Sequence, residues 1–158
     1  MGHNPTIGIR GCSGEIRFDP GKLEAGGVRL TIRAASLGVQ DDISDKDRRE
    51  MERVMNQEVL ETAKFPEIPY EASGVPVTKL GGTPYSASLI GTLTLHGVAR
   101  SEPIAARAAL MGTMLRASGD FSLGQSAYNI KPVSVAGGAL KLKDDLRLSF
   151  EIVARKST

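Results

Sequence analysis

Between Val28 and Ala34 every second residue is apolar. Val28, Leu30, Ile32 and Ala34 fall on one side of an extended backbone, and Arg29, Thr31 and Arg33 on the other. Successive side chains of a strand point to opposite faces, so such a segment sets one face on a core and the other in water. The period recurs along the chain. In the segment from Thr6 to Asp19, Ile16 and Phe18 oppose Glu15, Arg17 and Asp19. Leu89, Leu93 and Leu95 share a parity in SLIGTLTLH; Ile104, Ala106, Ala108 and Leu110 follow, then Leu115, Ala117, Gly119, Phe121 and Leu123. From Leu140 to Ala154, Leu146, Leu148, Phe150 and Ile152 oppose Arg147, Ser149, Glu151 and Val153. AKFPEIPYEA passes through two prolines into a further strand over Pro69–Val75, where proline favours a strand entrance or edge. Turn signals stand at Asp19-Pro20-Gly21, Gly81-Gly82, His96-Gly97 and Met111-Gly112.

One stretch breaks the period. Ser44 followed by Asp47 resembles a capping box, and Met51, Val54, Met55 and Val59 then recur at helical spacing through about Leu60. Acidic residues crowd the first turn of this helix, where the macrodipole favours them. At 158 residues the chain is one domain, and its 18 glycines and absent tryptophan suit strands and turns better than helices. About seven strands and one helix make an antiparallel sheet too long to lie flat, which must fold into a sandwich or close into a barrel. The inward parity carries Gly91, Ala106, Ala108, Ala117 and Gly119 among its leucines, so a closed barrel either keeps an apolar cavity or packs flat.

Polar chemistry is sparse. The two histidines, His3 and His96, lie far apart in sequence and with one cysteine make no metal set. His96, before Gly97 at a strand end, reads as a turn residue whose ring bonds neighbouring backbone, rather than as a catalytic base. Cys12 reads as a small buried residue and not a nucleophile. The carboxylates from Asp41 to Asp47 lack the alternating ligands and central glycine of a calcium loop and read as a solvated helix start. Arg29, Arg33, Arg107, Arg116 and Arg147 could mark a nucleic-acid face, yet aromatics for base stacking make up only 4% of residues. The net charge of +2 gives no global attraction to nucleic acid or an anionic membrane. No segment is long enough to span a bilayer, so no stable membrane insertion is expected.

GTLTLHGVAR at Gly91–Arg100, SGEIRFDP at Ser13–Pro20 and ETAKFPEI at Glu61–Ile68 resemble the YceI-like family. DISDKDRRE and the late FSLGQSAYNIKPVSVAGGALKLKDDLRLSFEI fit the family order too, and the resemblance runs from Gly2 over nearly the whole chain. It implies an all-β fold with one helix, an antiparallel lipocalin-like barrel holding a long isoprenoid or similar lipid without catalysis and without a cofactor. On that resemblance the lumen wall is expected from Phe18, Leu30, Ile32, Phe65, Leu93, Leu95, Phe121, Leu148 and Phe150, with Met51, Met55 and Val59 of the helix closing one end. Family members usually open with a strand, and often a secretion signal, ahead of the segment matched by Gly2-His3-Asn4-Pro5. Here the text begins at that segment, which implies either an incomplete barrel or a truncated start. The compartment is cytoplasmic as the sequence stands and periplasmic on the truncated reading. A barrel left incomplete has a second use, as a module whose free sheet edge pairs with a partner chain or with a second copy as a homodimer.

Overall fold

The computed structural model describes residues 2–3, 6–18, 26–75, 77–79, 84–130, 134–135, 140–142 and 145–156. Its strands are β1 (Gly2–His3), β2 (Thr6–Gly8), β3 (Cys12–Arg17), β4 (Gly26–Arg33), β5 (Gly38–Val39), β6 (Glu67–Val75), β7 (Val77–Lys79), β8 (Pro84–Leu95), β9 (Val98–Met111), β10 (Met114–Gly124), β11 (Ser134–Val135), β12 (Leu140–Leu142) and β13 (Asp145–Arg155). One α-helix, α1 (Asp45–Val54), lies between β5 and β6. The main sheet runs β3-β4-β6-β8-β9-β10-β13-β2-β5, with β7 beside β8, and curls around an apolar centre. A small second sheet has the order β1-β12-β11. The turns expected at Asp19-Pro20-Gly21 and Gly81-Gly82 lie outside the described residues.

The alternating runs become strands for the reason their pattern suggests. On β9, Ile104 and Ala106 are buried while Ala105 and Arg107 are exposed, and on β10 Leu115, Phe121 and Leu123 are buried while Arg116, Ser118 and Asp120 are exposed. β8, β9, β10 and β13 form successive antiparallel pairs, β8–β9 and β10–β13 in unbroken register. Two expected strands are corrected. The run from Leu140 to Ala154 is divided, with Leu140–Leu142 joining the small sheet and Asp145–Arg155 the large one. The run from Thr6 to Asp19 is broken at residues 9–11, because its two halves serve opposite ends of the sheet: β2 pairs with β13 and β3 with β4. The β2–β13 and β1–β12 pairings are parallel, so the fold is not antiparallel throughout.

Residues 9–11 are where the curl closes. The Ile9 amide donates to Ser149 O at 3.3 Å, and Gly11 O accepts from the Arg33 amide at 2.9 Å, so one short segment joins β13 to β4. Beyond it the strands diverge. Among the described residues β3 pairs only with β4, and the stretch Phe150–Arg155 of β13 pairs only with β10. Among the described residues two edges therefore stay unpaired from the closed end of the curl toward the end carrying Met114 and Arg155.

Helix α1 covers the closed end. Ser44 Oγ caps it by accepting from the Asp47 amide at 3.1 Å. Met51 and Val54 face the core, and a π-helical turn over Met55–Val59, closed by a Leu60 N–H to Met55 O bond of 2.8 Å, keeps Met55 and Val59 on the same buried side. The acidic start is more than a solvated turn: Asp41 Oδ1 accepts from the Thr6 amide at 2.7 Å, and Arg48 donates to the carbonyls of Asp41 at 2.7 Å and Val39 at 3.2 Å. These bonds hold the helix against the strand that closes the curl.

Candidate functional site

The inward parity of the sheet encloses a lumen of about 110 Å³. Its wall takes Ile16 and Phe18 from β3 and the residue after it, Val28, Leu30 and Ile32 from β4, Leu89 and Leu93 from β8, Ala106 and Ala108 from β9, Ala117 and Phe121 from β10, and Phe150 and Ile152 from β13. Apart from Cys12, Arg17, Tyr70 and Tyr85, every lining residue is aliphatic, phenylalanine or glycine. A second void of about 40 Å³ lies toward the helix, against Met55, Val59, Leu60, Leu95, Leu123 and Leu148. Ile9, Ile32, Leu93 and Phe121 face both voids and form a waist between them. At the other end the rings of Phe18 and Tyr85 meet edge-on with centroids 4.9 Å apart, joining β3 to β8 across the lumen.

Of the residues assigned to the lumen from sequence, Phe18, Leu30 and Phe150 line the large void, Met55, Val59, Leu95 and Leu148 the small one, and Ile32, Leu93 and Phe121 both. Met51 and Phe65 line neither. Met51 is buried in the core under α1, and Phe65 packs edge-on against the His96 ring, 4.9 Å between centroids. Sequence reasoning passed over Tyr70 and Tyr85, although the parity of Ile68, Tyr70 and Ala72 on β6 carried the signal for the first.

Two tyrosines of this part of the sheet tie their hydroxyls to Glu102, one of them in the lumen wall. Tyr70 Oη donates to Glu102 O at 3.0 Å, and its ring lies over Gly91, where a Cβ would come within 2.6 Å of it. Burial, helped by the Glu102 charge and opposed by a bond to the Gly91 backbone, pushes the Tyr70 phenol up to about 12. Tyr128, fully buried in the 3-10 turn Gln125–Tyr128, donates to Glu102 Oε2 at 2.6 Å; its phenol is pushed up further, by burial first and then by that carboxylate.

His96 sits at positive φ in the β8–β9 turn, as its position before Gly97 suggested, but its ring does not bond neighbouring backbone. Nε2 lies 2.7 Å from Glu61 Oε2 and Nδ1 3.3 Å from Tyr128 O, both distant in sequence. Both partners are acceptors, so the ring pins the segment after the helix to the turn after β10, and both its nitrogens are occupied. Cys12 is exposed and not the buried residue expected, because β3 is an edge of the sheet. Among the described residues no three His, Cys, Asp or Glu side chains gather where a metal ion could be held, and no helix is long and apolar enough to cross a membrane.

Residues 1–154 match the family model of the YceI-like domain. The fold is similar to that of Burkholderia cenocepacia BcnA, at 22% identity and a TM-score of 0.66 over 92% of this chain and 85% of that one. It is also similar to the Campylobacter jejuni YCEI protein, at 18% identity and a TM-score of 0.68 over 99% and 87%. A polyisoprenoid binding domain from Saccharophagus degradans, implicated in plant cell wall breakdown, matches at 20% identity and a TM-score of 0.53 over 76% and 65%. None of the curated proteins matches the chain significantly.

Proposed function

The chain belongs to the YceI-like domain family, and from that premise we propose that it binds a long-chain isoprenoid-type lipid in the lumen and carries or sequesters it without catalysis. The observation that bears the proposal is the composition of the wall: over its whole length the lumen offers hydrocarbon and aromatic surface and almost no polar atom. Binding there is driven by burial, which at about 0.8 kcal/mol per CH₂ gives a five-carbon isoprene unit up to about 4 kcal/mol. A few units offset the cost of association. A head group finds no partner inside and stays at the Phe18–Tyr85 end. The polyisoprenoid-binding relative supports the class of ligand. The residues expected to touch the chain are the ten sequence-assigned positions that line the two voids, together with Tyr70 and Tyr85.

Delipidated protein titrated with a long-chain isoprenoid quinone or a polyprenyl alcohol should take up one equivalent, read by native mass spectrometry. Failure to take up either, together with lipid-free organic extracts of the purified protein, overturns the proposal. The free edges of β3 and of Phe150–Arg155 favour a second reading, pairing with another chain. Light scattering that finds a strict monomer at high concentration removes its self-pairing form.

A further inference from the structure

At the Met114 and Arg155 end of the curl, the outward face of β9, β10 and β13 carries a patch that the lumen does not use. Two rows of cross-strand partners build it: Met111, Met114 and Arg155, then Ala109, Arg116 and Val153. Met111 is 53% exposed and Val153 47%, two of the three large apolar residues most exposed among those described. Around them stand Arg107, Arg116 and Arg155, all exposed, against the single acid Glu151, which lies 3.6 Å from Arg116. Arg147 and Asp120 pair farther down the same strands and add no net charge. Met111 leads into the tip of the β9–β10 hairpin, where Gly112 at φ 60° has open space around it, and Lys156 is bonded to that tip through its amide and Thr113 O at 2.8 Å.

Exposed methionine and valine ringed by cations is the composition of a surface that rests on anionic lipid: the apolar side chains enter the headgroup boundary and the cations meet the surface charge. We infer that this face docks on an anionic bilayer, with Met111 at the hairpin tip entering the interface and Arg107, Arg116 and Arg155 over the phosphates. Charge complementarity calls for an anionic surface, and the aliphatic positions between the cations select lipid over nucleic acid, because they offer no ring for a base to stack on. The inference does not require the lumen to hold a lipid.

Vesicle flotation tests it, with vesicles of equal parts phosphatidylglycerol and phosphatidylcholine compared with phosphatidylcholine alone. Binding is expected to the first, more than tenfold weaker to the second, and reversed by added salt. Each cation removed should cost about fivefold in partition, so the Arg107→Ala, Arg155→Ala double variant should lose about 25-fold. Met111→Ser should weaken binding severalfold, with the circular dichroism melt of both variants matching the parent because the residues are exposed. Equal binding to both vesicles, no binding, parental binding by the double variant, displacement from the vesicles by a single-stranded oligonucleotide, or burial of the face in a dimer each overturns it.

Discussion

The Tyr128 hydroxyl reaches back across the wall of the curl to donate to Glu102 Oε2 at 2.6 Å, from a fully buried ring to a half-buried carboxylate on β9. Tyr70 bonds the backbone carbonyl of the same residue, so Glu102 fastens β6 and the turn after β10 to one point on β9. A carboxylate at such a depth is tolerable because it accepts a strong bond, and removing the donor exposes the cost of burying it.

Tyr128→Phe should therefore lower unfolding stability by about 1–3 kcal/mol, seen as a lower urea midpoint at an unchanged slope. A midpoint equal to the parent's would mean that the bond contributes nothing. Combining the change with Glu102→Gln, which removes the buried charge, should recover part of the loss.

Both phenols ionise later in the folded protein than in the unfolded chain, where the value is about 10. A group whose folded pKa is raised contributes its stability in full below the unfolded pKa and loses it as pH rises toward the folded one. Melting temperature should then fall between pH about 10 and about 12, the Tyr70 value, with Tyr128 extending the fall beyond. Thermal melts in a series of alkaline buffers check this, and Tyr128→Phe should flatten the decline. Stability that climbs through that window would contradict the assignment.

What the chain announced in advance was local. The alternation in β4, β9 and β10 and the Ser44 cap are written in neighbouring residues and form where the pattern puts them, while the last run forms β13 only from Asp145 onward. The closure of the curl was not visible, because it depends on residues 9–11 bonding Ser149 on one side and Arg33 on the other, contacts that no periodicity encodes. The same holds for His96, whose partners Glu61 and Tyr128 are each more than thirty residues away. Phe65 is a lumen residue on the family resemblance, yet it follows the helix in a segment without strand period and packs on His96 instead.

Gly91 is a position where side-chain absence is structural. An added Cβ would lie 2.5 Å from Glu71 O and 2.6 Å from the Tyr70 ring, at the two-residue pairing of Tyr70 and Glu71 with Leu93 and Thr92 that joins β6 to β8. The backbone oxygen cannot swing aside, so Gly91→Ala should cost about 1–3 kcal/mol. Chemical denaturation checks the cost, and hydrogen exchange should show the loss of protection concentrated in β6 and β8. A variant as stable as the parent would mean that these strands part without penalty.

Ala108 and Ala117 face each other as a cross-strand pair inside the lumen, and their small size keeps it open. Ala117→Leu adds three carbons to a space that is empty, unlike a substitution at Gly119, where a Cβ would meet Ala105 O at 2.6 Å and the Phe150 ring at 2.8 Å. Filling a void adds burial without forcing neighbours apart, so the variant should unfold at equal or higher denaturant, by about 1 kcal/mol. It should take up much less of the isoprenoid probe, because the same carbons occupy the volume a chain would need. Ala105→Leu adds the same bulk to the exposed face of the neighbouring strand and should leave uptake unchanged. If both variants bind like the parent, the lumen between β9 and β10 is not where the lipid lies, and a ligand would have to sit toward the helix, against Met55 and Val59.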